Sequence, residues 1–423
     1  GGDRIGMVEQ AGQSRADVRM RGFATRSTVE QALQWIDSSI SMLPRASEQV
    51  SLQQAAGRVL AEGVTSEIAV PGFRRAMMDG YAVQAADIQG ASAWNPLRLK
   101  VSGTSFPGQG YPGKVEPGSA VRIMTGAPVP EGADSVLPVE VTEADGNGVH
   151  ALADVPAGKH VGQPGEDVAE GQQLLPAGRC LRPQDLGVLS STGQGVVSVW
   201  KRPRVRIVVT GNELLPAGTR PRGQQIADAN GPMLRALAER DGGDVEFPGI
   251  VPDTQESIRE ALLSPAEIVL VSGGSSVGQE DWAPRVLAEL GTLALHGLAM
   301  RPSSPAGMGL IGSRLVFLLP GNPVSCLCAY DFFAGRAIRL WGGRRAEWPY
   351  RMQRLPLAAN LVSVVGRVDY ARVRVEAGQV HPLAISGASV LTSTTRADGF
   401  VVVPADSEGM AAGGAVDVWL YDV

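Results

Sequence analysis

The chain has 423 residues, with 38 lysines and arginines against 43 aspartates and glutamates, for a formal net charge of −5. That balance excludes the global basic field that drives nucleic-acid binding, and no apolar run is long enough to span a bilayer, so neither nucleic acid nor membrane is an expected partner. The length exceeds one ordinary core and predicts about three domains.

Cys326 and Cys328, two of only three cysteines, stand one residue apart, which fits neither a disulfide framework nor a zinc pattern; a reducing, cytoplasmic location is the simplest expectation. The N-terminus lacks the charged-then-apolar layout of a signal peptide, and residues 1–24 read as a disordered lead or an expression scar.

In chain order, residues 27–30 (Ser-Thr-Val-Glu) form a capping-box pattern. Val29, Ala32, Leu33, Ile36 and Ile40 behind it recur at helical spacing, predicting a helix to residue 42. Residues 51–64 read as a second, shorter helix with Leu52, Ala56, Val59 and Leu60 inward. From residue 71 to 162 glycine and proline punctuate short apolar runs (97–101, 120–124, 135–141), the texture of a small β domain. There Phe73, Met77, Met78 and Tyr81 read by default as core. Helical signal returns at 183–189, before a strand at 196–200, so the β unit is read as inserted into a helical framework of residues 25–70 and 163–200.

After residue 201 strands alternate with helices: a strand at 204–210, a helix at 231–240, a helix opened by the box at 253–256, a strand at 268–271, a helix from 283, a strand at 314–320 and a long helix from 324 to 340. This rhythm predicts an open, mostly parallel sheet over residues 201–345. Residues 346–423 revert to short strands, as in a β barrel or sandwich. The fold class is therefore multidomain, α/β plus β.

The candidate site begins at residues 268–282, IVLVSGGSSVGQEDW. A strand apolar on both faces runs into Gly273, Gly274, Ser276 and Gly278, which permit close backbone approach to an anion, and ends in Asp281. Two other strand ends carry a glycine, TGNEL (210–214) and PGNPVS (320–325), and in an open α/β sheet such loops converge on one crevice. PGNPVS, with Gly321, Asn322, Pro323 and Ser325, reads as an anion cradle at a helix start. Glu213, Asp228, Asp253 and Asp281 stand around it. A carboxylate about 4 Å from a phosphate costs on the order of 4 kcal/mol at an effective dielectric of 20, so a site holding both calls for a bridging cation, Mg²⁺ most naturally. Singly, Asp253 and Asp281 read equally as helix caps, and the glycines as a tight turn. No Gly-Lys-Ser/Thr follows a strand, which argues against a P-loop NTPase. The four histidines, His150, His160, His296 and His381, are scattered and read as packing or surface residues.

AMMDGYAV (76–83), RIMTGAPVPEGAD (122–134), TGNEL, SGGSSVG with Asp281, and LPGNPVS, in this order and at these intervals, resemble the molybdopterin molybdenumtransferases, the molybdenum insertases that include the E domain of gephyrin. The resemblance covers residues 27–423. It implies a helical framework with an inserted β domain, a molybdopterin-binding three-layer α/β domain and a C-terminal β barrel. It implies a Mg²⁺-dependent transferase that uses adenylylated molybdopterin and molybdate and releases AMP. It also implies a homodimer in which Asp79 and Thr125 reach the cleft of the other subunit, with a molybdopterin adenylyltransferase and molybdoenzyme apoproteins as partners.

By the same resemblance Glu213, Asp253, Asp281, Asp79 and Thr125 match catalytic positions; for the metal, the acids read around the crevice point to Glu213, Asp228 and Asp281. Gly273, Gly274, Ser276, Gly278, Gly321, Asn322, Pro323 and Ser325 match the pterin-phosphate loops. Arg301, Ser304, Pro305, Arg367, Arg372 and Ser393 match an oxyanion pocket. The chain departs from the family at residues 301–305, Arg-Pro-Ser-Ser-Pro in place of Lys-Pro-Gly-Lys-Pro, and in having Asn212 where an acid is frequent. Loss of the second lysine predicts oxyanion binding weaker by about 1 to 2 kcal/mol. It keeps open a cofactor carrier or scaffold with weak or altered (tungstate) specificity. The phosphate loops alone would also suit a nucleotidyltransferase.

Overall fold

The computed structural model describes residues 25–273, 281–384, 387 and 390–422. Contacts divide the chain into two units: residues up to Glu48 together with those from Trp200 onward, and Gln49–Val199.

Helix α1 (Val29–Met42) forms as its periodicity predicts, with the capping box shifted by one residue. Thr28 accepts from the Gln31 amide and the Gln31 side chain answers it. Val29, Ala32, Ile36 and Ile40 are buried in the main core of the first unit. The helix expected over residues 51–64 is a correction. A strand (Ser47–Ser51) and a single 3-10 turn (Leu52–Gln54) stand there instead. Gly57 takes φ +73°, which breaks the helical path, and Val59 and Leu60 pair with Cys180 and Val199. Among the described residues of Gln49–Val199 the one α-helix is α2 (Pro183–Ser191). The expected helical framework therefore reduces to α2 and to α1, which belongs to the core of the other unit.

The larger sheet of the Gln49–Val199 unit has six strands, β1 (Gly80–Val83), β2 (Leu97–Ser105), β3 (Ser119–Ile123), β4 (Ser135–Pro138), β5 (Thr142–Asp145) and β6 (Gly148–Ala151), in the order β4-β1-β3-β2-β6-β5. Alternation decides its two faces: Ala82, Val121, Ile123 and Val136 pack on one, Tyr81, Val83, Ala120 and Leu137 on the other. Phe73 and Met77, expected in the core, are 45% and 46% exposed.

The other unit is built on β7 (Arg204–Thr210), β8 (Leu214–Leu215), β9 (Ile226–Ala227), α3 (Asn230–Arg240), β10 (Asp244–Glu246), β11 (Ile250–Val251), α4 (Gln255–Leu263), β12 (Ile268–Ser272), α5 (Trp282–Leu290), β13 (Thr292–His296), β14 (Met300–Arg301), β15 (Gly307–Ile311) and β16 (Arg314–Leu319). The sheet order is β10-β7-β12-β16-β15-β13, with β11 also on β7. Pairings are parallel from β10 to β16 and antiparallel beyond. Central β12 is buried along its whole length. Ile207, Leu270 and Phe317 face the core that holds α1 and α3, whereas Val208, Val269, Val271 and Val316 face α4 and α5. Helices on both faces explain why these strands read as continuous apolar runs.

The long helix expected after β16 is α6 (Pro323–Ala329), a π turn (Tyr330–Ala334) and α7 (Gly335–Trp341) in direct succession. The wider turn brings two polar side chains into a buried network. Tyr330 donates to Asp241 at 2.7 Å, and Tyr350 donates to Asp331 at 2.8 Å. Arg240 pairs with both carboxylates.

The C-terminal strands are β17 (Arg351–Pro356), β18 (Val368–Glu376), β19 (Gln379–Ala384), β20 (Gly399–Val403) and β21 (Ala415–Leu420), in the order β19-β18-β20-β21-β17, with β14 added in parallel to β18. A bridge from Leu357 to Val380 links the β17 end of this sheet back to β19. The strands thus enclose a core of Leu357, Val373, Val380, Val401, Val416 and Val418. Among the described residues no helix is long and apolar enough to cross a membrane.

Candidate active site at the carboxyl ends of the sheet

A cavity of about 640 Å³ opens where β7, β12 and β16 end. Its wall carries Thr210 to Leu214 from the first strand end, Ser272 and Gly273 from the second, and Pro320 to Pro323 from the third, together with Asp228, Asn230, Asp253, Asp281 and Pro305. The three glycine-bearing strand ends therefore meet in one crevice, and all four candidate acids of the α/β segment stand on it. Gly274, Ser276 and Gly278 lie outside the described residues.

Two of these acids had a competing reading as helix caps, and local geometry removes it. Helix α4 is capped by Thr254, whose hydroxyl accepts from Ser257 N at 3.2 Å, leaving Asp253 one residue before the cap. Asp281 precedes α5 but makes no side-chain capping bond to it. Asp228, one residue before the N-cap Ala229 of α3, is the acid that does bond into its helix. It is 4% exposed, one oxygen accepts from Gly231 N at 2.9 Å, and the other is buried without a donor. Burial pushes its carboxyl above the usual range, against the pull of the Gly231 and Asn230 amides.

Asn230, which sequence reasoning missed, holds two of the strand ends together. Its amide nitrogen donates to Ser272 Oγ and to Gly321 O, both at 2.8 Å. Gly273, at φ +86°, sits so close to the end of β7 that an added Cβ would lie 2.3 Å from Thr210 O. No other residue fits there.

Other candidates fall elsewhere. Ser325 is buried beneath the cradle, its carbonyl accepting from Ser303 Oγ at 2.6 Å. Of the oxyanion set only Pro305 lines the cavity. Arg301 and Arg367 each lie 3.2 Å from the fully buried Asp369. Arg372 is wholly buried and donates to Ser393 Oγ at 2.6 Å. In the other unit Asp79 accepts from Thr125 N and Thr125 Oγ1, both at 2.8 Å, and those bonds hold its carboxyl below the usual range.

Among the described residues no three acids, histidines or cysteines stand close enough together to form a metal-binding group by themselves. The wall still fits Mg²⁺ in another way. It carries four carboxylates, Asp228 among them with a buried oxygen lacking a donor, and no lysine, arginine or histidine among the described residues. Mg²⁺ is commonly held by one or two carboxylates together with ligand phosphates.

An open α/β sheet with glycine turns and carboxylates at its strand ends, in a chain that carries two further β assemblies, defines a multidomain α/β plus β protein with a ligand-sized crevice at its strand ends. The comparisons are more specific. Residues 27–193 match the MoeA N-terminal region (domains I and II), 206–339 a probable molybdopterin binding domain, and 354–421 the MoeA C-terminal region (domain IV). The chain is 32% identical over 385 residues to a molybdopterin molybdenumtransferase of Haemophilus influenzae, covering 89% of this chain and 94% of the relative. It is 31% identical over 384 residues to a putative molybdopterin biosynthesis protein of Methanocaldococcus jannaschii, covering 88% and 92%. The crystal structure of a molybdopterin biosynthesis MoeA protein from Pyrococcus horikosii superposes with a TM-score of 0.81 at 32% identity, over 94% of this chain and all of that one. The chain belongs to the molybdopterin molybdenumtransferase (MoeA) family, as its motifs indicate.

Proposed function

We propose that this protein is a molybdopterin molybdenumtransferase of molybdenum cofactor biosynthesis, acting in the cytoplasm on adenylylated molybdopterin and molybdate and releasing AMP. The observation that carries this reading is the single cavity on which Glu213, Asp253 and Asp281 face the glycine turns at Gly273 and Gly321. The glycine turns let the ligand's phosphates approach backbone amides closely, and Asn230 fixes the separation of two of those turns. Glu213 and Asp281 would hold Mg²⁺ jointly with the phosphates. When bound, the ion neutralises charge that develops as the phosphoanhydride is cleaved. Asp253, on the same wall, orients the attacking oxygen nucleophile. Asp228 keeps α3 in place through its bond to Gly231 N. The protein works as a homodimer in which Asp79 and Thr125 of a second copy complete the site, and it exchanges ligand and product with an adenylyltransferase and with apoenzymes.

The deciding experiment is molybdate-stimulated AMP release from adenylylated molybdopterin by purified protein with Mg²⁺. No release beyond the molybdate-free rate rejects the reading. A second reading, a cofactor carrier with altered oxyanion preference, draws on Arg301 and Arg367 both being tied to Asp369 and on Ser304 standing where the family carries lysine. Under it, Ser304→Lys leaves molybdate-dependent turnover at background; a weakened enzyme gains it.

A further inference from the structure

The cavity sets an electrostatic problem that its walls leave unsolved. Four carboxylates line it and no cationic side chain does, among the described residues. A phosphate-bearing ligand approaching a concave site of one sign meets a focused repulsive field, which slows entry and weakens binding. One Mg²⁺ inside offsets only part of that field, since four carboxylates together carry more charge than the ion.

The loop between β8 and β9 leaves the cavity wall beside those acids. It springs from two of the acids: Ile226 N donates to Glu213 O and Asp228 N donates to Leu215 O, both at 2.9 Å, and Leu214 and Ile226 line the cavity on either side of its base. Two turns shape the rest. Thr219 N donates to Pro216 O at 3.1 Å and Gln225 N donates to Arg222 O at 3.0 Å, which leaves Arg220 and Pro221 between the turns and Arg222 at the start of the second. Pro216 and Pro221 restrict the backbone, so holding the arginines there costs little further entropy. Both arginines are exposed, and neither forms an ion pair among the described residues.

We propose that Arg220 and Arg222 form a cationic lip that captures the phosphate-bearing part of the ligand and passes it to the acid-lined interior. Their guanidinium groups present planar, bidentate donors suited to phosphate oxygens. The inference rests on the proposed function for the identity of the ligand, and on the loop geometry for the residues.

The test uses the full chain with Mg²⁺ and AMP as the probe, with affinity measured by calorimetry across a salt series. Arg220→Ala/Arg222→Ala should weaken AMP binding about fivefold to tenfold at low salt, and the difference should vanish above about 0.5 M salt, where screening is short-ranged. Arg220→Lys/Arg222→Lys should recover most of the affinity. Arg351→Ala/Arg354→Ala, which removes equal charge from an exposed strand whose arginines pair with Asp422 and Asp417, should stay within about twofold of wild type. The lip is rejected if the first variant matches wild type at low salt, if its defect is independent of salt, if the control loses as much, or if wild-type protein does not bind AMP. Absence of molybdate-stimulated AMP release in a protein that still shows the lip effect would instead reject the catalytic reading alone.

Discussion

At the scale of single residues, the site depends on side chains whose neighbours fix what they can do. Asn230 is the clearest case, since one amide nitrogen serves Ser272 Oγ and Gly321 O. Replacing it by alanine leaves the buried Ser272 hydroxyl without its donor and frees two strand ends. Asn230→Ala should destabilise the protein by about 2 kcal/mol, read as a lower urea midpoint, and weaken AMP binding as well. Equal midpoints for the two proteins would count against the clamp. Glu213 makes the opposite contribution: it is exposed on the cavity wall and touches little that supports the fold. Glu213→Gln should leave the urea midpoint unchanged while AMP release falls by about 10²-fold, the equivalent of about 3 kcal/mol of charge stabilisation. The acids and glycines were legible in the sequence because each follows an apolar strand. Asn230 was not, because an asparagine at a helix start reads as a cap until its partners, 42 and 91 residues away, are seen.

Among the elements, the π turn between α6 and α7 carries the sharpest consequence. Asp331 is fully buried there, and burial pushes its carboxyl up to about 6, against the pull of Arg240 and the Tyr350 hydroxyl. Its folded value lies above the ordinary one, so its contribution to stability is complete below about pH 4 and is lost as pH rises through about 6. The stability of wild type relative to Asp331→Asn should therefore decline between those limits and level off above them, measured as denaturant midpoints across the range. Parallel curves would show that this carboxylate keeps an ordinary affinity for its proton. Nothing in the sequence of residues 324–340 marks this turn, because the run is buried nearly all round and has no one-sided apolar stripe whose phase could shift. Residues 51–64 failed for another reason. Their spacing fits a helix, but Gly57 and the pairings to Cys180 and Val199 give the backbone better partners elsewhere. β12 was readable because a strand buried on both faces must be continuously apolar, as residues 268–271 are.

For the molecule as a whole, the proposed dimer makes a prediction that no single copy can satisfy. If Asp79 of one copy serves the cavity of another, Asp79→Ala and Asp281→Ala proteins should each be inactive alone. After mixing and subunit exchange they should recover roughly a quarter of wild-type activity, since half the dimers then hold one intact site of two. No recovery from a mixture shown to contain mixed dimers would assign Asp79 to its own copy. The sequence made the α/β rhythm and the β texture of residues 71–162 plain. It could not reveal how contacts group the pieces, because α1 and the C-terminal strands join residues far away in the chain.

The run from α6 through the π turn to α7 starts at the cavity with Pro323 and is tied at Asp331 to the stretch that leads into β17, by the Tyr350 hydroxyl on the Asp331 carboxylate and by the Trp348 indole on Asp331 O at 2.7 Å. A stiff rod gripped at its middle transmits a push at its tip. Filling the crevice should therefore slow solvent exchange of the Trp348 indole proton, giving a remote spectroscopic report of occupancy that needs no turnover.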